Sequence, residues 1–284
     1  MSSDLGQKVN LQHTISTPPQ LLRHTPGSGW TDADSTAFNH LMYDVHLPLL
    51  FNGTSANGNW MASFIEGMLG IAAFSENATL WAHAVTAWEG RMPSYWYVAS
   101  GGSAPPPNPQ PNCDPQPVCE VRRVGEREAG GPAPLMALSL LPAQWYNQTV
   151  FNATVSGACQ ETCRDMGHMQ MGFAAFLNGG ATAALQGDDL LASHAPRIFA
   201  ASEFAAQLLL NATPAAVPPA LLCSGAPVKL GLMPTFEVAH SLFARLGLND
   251  TLTQAQLATN VRLHANQYGS QVSVWETLSH GLPL

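Results

Sequence analysis

Charge is what this chain has least of. Only 11% of its 284 residues are Asp, Glu, Lys or Arg, and 19 acids against 11 bases give a formal net charge of −8. A negative balance supplies no bulk field for a polyanion, which argues against a nucleic-acid partner. An acidic sugar polymer would have to be held by a few local cations. Long apolar runs are missing as well: no window approaches 18 uninterrupted apolar residues, so no membrane-spanning helix is predicted. Alternating strand patterns are scarce, with QVSVW at 271–275 the one short candidate, and no internal repeat is found. What is left is 46% hydrophobic with a mean hydropathy near zero. That is a globular composition, in a chain long enough to bury a large core.

Cysteine is sparse and odd in number: Cys113, Cys119, Cys159, Cys163 and Cys223. Cys159 and Cys163 stand four apart, a spacing open to zinc on a helix. No second Cys/His pair with finger-like spacing accompanies them, so one or two disulfides, such as Cys113–Cys119, are expected ahead of a metal, with buried thiols as the alternative. N-x-S/T sequons are in excess. Six occur, at Asn52, Asn77, Asn147, Asn152, Asn211 and Asn249, where 15 Asn would give about two by chance. The excess points to a secreted glycoprotein, whereas the opening MSSDLGQKVNLQHT has neither the basic nor the apolar region of a signal peptide. The two observations are reconciled if the natural amino terminus is missing; otherwise the chain is cytosolic and the sequons are accidental.

Residues 1–30 read as an irregular leader and 31–284 as one domain. Within it 101–134, GGSAPPPNPQPNCDPQPVCEVRRVGEREAGGPAP, is a Pro/Gly-rich inserted loop. On both sides the apolar rhythm is helical. The segment 34–50 carries Phe38, Leu41, Met42, Val45 and Leu49 at 3–4 spacing, with Pro48 expected to kink or end it. The segment 58–74 carries Trp60, Phe64, Met68, Ile71 and Phe74 in the same rhythm. Segments 78–92, 160–178, 191–211, 235–247 and 253–267 are also predicted as helices, Pro93 ending the one that begins at 78. An all-α array of helix hairpins is the expected architecture.

Against so apolar a background the string CQETCRDMGHMQM, 159–171, stands out. On a helix over 160–178, Glu161, Arg164 and His168 share one stripe, which burial does not require. A structural Arg–Glu pair with a surface His would account for the stripe equally well. Four other strings shift the balance. NGNW (57–60) places Asn57 and Asn59 at a helix start, where one Asn can cap but two with Gly58 between them suggest a close approach of backbone to ligand. RMPSYWY (91–97) supplies Tyr95 and Tyr97, PTFEVAH (234–240) Glu237 and His240, and VWETLSH (274–280) Trp275, Glu276 and His280.

In this order, from about Trp30 to His280, these strings resemble the alginate lyase family of polysaccharide lyases, ETCRDMGH being the most specific of them. The resemblance implies an incomplete (α/α) toroid of antiparallel helix hairpins with an acidic polysaccharide, a polyuronate, in its central groove. The chemistry agrees. Cleaving a 4-linked uronate by β-elimination needs a neutralised C5 carboxylate, a base for the C5 proton and an acid for the departing O4. Amides and guanidinium suit the first task, and His or Tyr the other two. No cofactor and no metal are required. By that logic Asn59 polarises the carboxylate with Asn57 capping or assisting. Arg164 holds the sugar carboxylate or lowers the pKa of a nearby tyrosine, and Glu161 orients Arg164. His168 is base or carboxylate neutraliser, and Tyr95 or Tyr97 is the acid. Gln170, His240 and His280 are expected to contact the sugar, and Trp60 and Trp275 to stack on it.

The chain departs from the family pattern twice. Met171 stands where many relatives carry a tyrosine, seven residues after the motif arginine. Several helix hairpins that relatives place ahead of the NGNW string have no counterpart. Two other functions compete: a non-catalytic carbohydrate-binding relative, and a glycoside hydrolase of related toroid architecture. The hydrolase would need two carboxylates across a cleft, drawn from Glu161, Asp165, Glu237 and Glu276.

Overall fold

Helix α1 (Asp32–His40) begins two residues before the predicted start, because Thr31 caps it in a reciprocal box with Asp34. The computed structural model that shows this describes residues 22–53, 57–106, 144–210, 221–231 and 235–258. From α1 the chain winds without a break through a π-helical segment (Leu41–His46) into α2 (Leu47–Gly53). Pro48 therefore neither ends nor interrupts it. The turn immediately before the proline is the wide one, the Leu47 N–H donating to the Met42 carbonyl five residues back. A π turn also rotates the face that follows. Of the predicted core stripe Met42 is buried, but Leu41, Val45 and Leu49 are exposed, their places taken by Leu47 and Leu50.

Helix α3 (Gly58–Ser75) is apolar on nearly every side, the pattern of a helix enclosed by others. It packs along α5 (Met166–Leu185) and against α4 (Ala78–Tyr95), to which Glu76 and Asn77 join it. Glu76 ends α3 in the left-handed region, and the Asn77 side chain caps α4 by accepting from the Leu80 N–H at 2.9 Å. Asn77 is thus a cap, and its Nδ2 donates to the Tyr43 hydroxyl at 2.8 Å. Pro93 sits inside α4, whose freed carbonyl falls on the exposed Glu89, so the helix continues to Tyr95.

The segment predicted as helix from 160 does not become one until Met166. Residues 160–164 are turns, and Asp165, extended at φ −176°, is the cap of α5. They are pinned in place from below. Trp96 and Cys159 form an isolated antiparallel bridge, and Gln160 N–H donates to the Tyr95 carbonyl at 2.7 Å. A short α6 (Leu190–Ser193) turns the chain into α7 (Ala195–Leu210), which carries α9 (Thr251–Ala258); α8 (Glu237–Leu246) packs on α5 and α7. Trp88, Trp96, Phe173, Phe176 and Phe236 fill the centre, fully buried. All named elements are helical, and among the described residues there is no strand beyond that single bridge. The protein is all-α. The expected short strand at 271–275, the end of the helix predicted to 267 and most of the 101–134 loop lie outside the described residues.

One disulfide is present among the described residues, Cys163–Cys223, with Cys159 a buried free thiol. Cys163 is therefore paired not with Cys159 but with a residue 60 positions on. Cys113 and Cys119, the expected pair, lie outside the described residues. No group of three His, Cys, Asp or Glu there is arranged to hold a metal ion.

Candidate functional site

The charged turn is organised around a carboxylate with no exposed surface. Glu161 Oε2 accepts from the Asn59 backbone N–H at 2.6 Å and the Tyr95 hydroxyl at 3.0 Å, while Oε1 accepts from Arg164 at 2.9 Å. Beside it Gln160 Oε1 accepts from the Gly58 N–H at 3.2 Å and from the guanidinium of Arg91. Side chains from a turn about a hundred residues away thus satisfy the first N–H groups of α3. Asn57, at the cap position, makes no side-chain cap; its Nδ2 donates to the Gln144 carbonyl at 2.9 Å. The reason is at Gly58. Its φ is +63°, and a Cβ there would stand 2.4 Å from the Glu161 carboxyl carbon, so glycine alone leaves room for the incoming carboxylate.

Burial pushes the Glu161 pKa up, opposed by the Tyr95 hydrogen bond and the Arg164 charge. Arg91 is pulled down to about 10 by the same cause. The Tyr95 phenol is driven well above its ordinary range by burial, with neighbouring Cys159 and Glu161 adding to the effect. Its ring lies so close to α5 that a Cβ at Gly172 would fall 1.9 Å from the phenolic oxygen. Tyr97 is buried too, and donates to the Gly102 carbonyl at 3.1 Å. Both phenols expected to face the sugar are turned inward: α4 runs through Pro93 and carries Tyr95 into the core, and the backbone of Tyr97, just beyond it, pairs with Gly157 and Ala158.

Outside this sealed layer lies a half-exposed one. Arg164 keeps 30% of its side chain accessible, and His168 36%. Asp165 Oδ1 accepts the His168 backbone N–H at 2.8 Å, and its Oδ2 stands 2.7 Å from His168 Nδ1. That holds the ring through Nδ1 and leaves Nε2 for a second partner. Burial raises the Asp165 pKa, but the bonds from His168 outweigh it and the group ends below its ordinary value. Arg164 is held above its ordinary value. Burial lowers it, and Tyr146 and Glu161 more than offset that loss.

The Asn59 side chain joins the two layers. Its Nδ2 lies 3.8 Å from the Met171 sulfur, one turn along α5 from His168, and its Oδ1 has no hydrogen-bond partner among the described residues. Sulfur is a weak acceptor, so rotating the amide to present either end to a ligand sacrifices little. Trp60 is half-buried against Phe64 at 6.0 Å.

Glu161 therefore links Arg164 to the start of α3 at Asn59, while Asp165 holds His168, which alone of these residues lies on α5. Two expected contacts are committed elsewhere. Gln170 is buried and donates to the Met166 carbonyl at 2.8 Å and to Gly231, tying the 221–231 segment to α5. His240 is buried in a pair with Asp250 at 2.8 Å, which anchors α8 to the start of α9. Trp275 and His280 lie outside the described residues. Asp165 reads in the sequence only as a candidate hydrolase carboxylate, although an acid three residues before a His at a helix start is itself the signal of a cap and ring partner. Tyr146 goes unread, since nothing local announces that a residue 18 positions upstream will stack on Arg164. No family model matches this chain, nor does any curated protein or solved structure.

Proposed function

We propose that this chain is a polysaccharide lyase that cleaves a 4-linked uronic-acid polymer, of alginate or glucuronan type, by β-elimination on an incomplete (α/α) toroid. One observation carries the reading: Arg164 and the Asp165–His168 pair are part-exposed, and Arg164 shares the Glu161 carboxylate with the backbone N–H of Asn59 at the start of α3. Arg164 and the Asn59 amide take the C5 carboxylate and draw off the charge that builds as the C5 proton leaves. His168 Nε2 takes that proton, and Asp165 fixes the ring and stabilises the imidazolium. Glu161 anchors Arg164 while bracing the start of α3. The disulfide and the exposed sequons at Asn147, Asn152 and Asn249 support a place in the secretory pathway. Among the described residues no helix is long and apolar enough to cross a membrane.

A second reading, a carbohydrate-binding relative without turnover, is favoured by the inward burial of Tyr95 and Tyr97 and by Met171 at the contact with Asn59. A hydrolase is disfavoured, because among the described candidates Glu161 and Glu237 are buried and Asp165 alone is part-exposed, Glu276 lying outside the described residues. Incubation with alginate or glucuronan separates the three. A rise in ultraviolet absorbance from the unsaturated product marks the lyase, reducing ends without it mark a hydrolase, and binding without either marks the lectin-like protein. His168→Ala is expected to abolish the rise; unchanged turnover in that variant would refute the assignment.

A further inference from the structure

The elimination needs an acid, and Tyr95, Tyr97 and Met171 do not provide one at the surface. A different phenol stands beside Arg164. The Tyr146 hydroxyl lies 3.5 Å from Arg164 Nη1, and the guanidinium carbon sits 5.7 Å from the centre of the Tyr146 ring. Unlike the two phenols of the RMPSYWY string, Tyr146 is only half-buried.

Its backbone is held in an unusual state. Tyr146 has φ +48° and Asn147 φ +68°, two consecutive non-glycine residues in the left-handed region. Such conformations persist only where the surroundings impose them. Here Ser224 Oγ donates to the Asn147 carbonyl at 2.6 Å. Gln148 clamps the other side, donating to the Leu221 carbonyl at 3.0 Å and accepting from the Cys223 N–H at 2.7 Å. Cys223 is in turn bonded to Cys163, next to Arg164. The turn carrying Tyr146 and the turn carrying Arg164 are thus fastened to one another by a disulfide and a glutamine.

We propose that Tyr146 is the general acid of the elimination, giving its phenolic proton to the departing O4. The proposal rests on the lyase reading above. The step balances without a further reactant. His168 Nε2 takes the C5 proton, the released electron pair forms the C4–C5 double bond, the C4–O4 bond breaks, and O4 takes the proton of Tyr146. Solvent then returns a proton from the imidazolium to the phenolate. Three charged groups face the phenol. Burial and the charges of Glu161 and Asp165 hold the proton on, while Arg164, which acts in the opposite sense, stabilises the phenolate once it forms.

Tyr146→Phe keeps the ring over Arg164 and removes only the hydroxyl. On the polyuronate that the wild type cleaves, kcat is expected to fall by about 10²- to 10⁴-fold with little change in KM. On a uronate bearing a 4-nitrophenyl ether at C4, whose departure needs no proton, the variant should recover wild-type rates while His168→Ala stays silent. Replacing Tyr146 with 3,5-difluorotyrosine in the full chain should move the alkaline limb of kcat/KM to lower pH. A Tyr146→Phe variant with undiminished kcat overturns the proposal and leaves the lyase reading intact. So does a loss that the nitrophenyl ether does not restore, which marks a positioning role. A wild type silent on every polyuronate overturns both.

Discussion

A carboxylate that accepts from both the amide and the ring of one histidine, as Asp165 does with His168, is tied to its charged form. Its pKa lies below the ordinary 3.8. A group whose native value is depressed adds stability above its unfolded value and loses it as pH falls through the native one. Asp165→Asn retains a competent cap, since Asn serves that position as well as Asp, so the comparison isolates the charge. The wild type is expected to be the more stable at neutral pH, and the two proteins to converge below about pH 4. Urea unfolding across that range would check this; a gap independent of pH would mean the charge contributes nothing.

The start of α3 depends on groups that are not part of it. Its first two N–H donors go to Gln160 and Glu161, and the second of these occupies the space that a side chain at Gly58 would need. Gly58→Ala combines a left-handed alanine with displacement of a buried carboxylate. A loss of at least about 2 kcal/mol is expected. Because the displaced carboxylate also holds Arg164, activity should fall more than fraction folded does. A variant with wild-type stability would show that the turn shifts freely, and would weaken the case for a preorganised site. The same element explains the misplaced helix start. Periodicity over 160–178 was compatible with a continuous helix, yet the side chains of Gln160 and Glu161 are drawn off to cap α3 and the Gln160 backbone pairs with the end of α4, so the helix begins only where Asp165 can cap it.

At the scale of the whole molecule the Cys163–Cys223 bond ties the charged turn to the 221–231 segment, which reaches α5 through Gln170 and Met166. It closes a loop of sequence separation 60, for which chain entropy gives a stabilisation of about 4 kcal/mol as an upper figure. Replacing both cysteines by alanine is expected to cost about 2–4 kcal/mol in denaturant unfolding. It should also lower kcat, because Arg164 adjoins one cysteine and the clamp on Tyr146 adjoins the other. A double variant with unchanged kcat would show that the two turns hold their places without the bond.

Much of this was legible in the sequence alone. The apolar rhythm placed most of the helices and the all-α class, because helical burial repeats every few residues and leaves a local trace. The density of ionisable groups in ETCRDMGH, in a chain with so little charge, marked the turn where Glu161 pairs with Arg164 and the helix start where Asp165 holds His168. What the tertiary structure decided was which of those groups see solvent and which distant ones join them. It buried Glu161 under Gly58, turned Tyr95 and Tyr97 inward, spent Gln170 and His240 on anchoring, and brought Tyr146 onto Arg164. Partners a hundred residues apart, like carboxylate and helix start here, leave no periodicity for a sequence to display; only the packing of one helix on another brings them into contact.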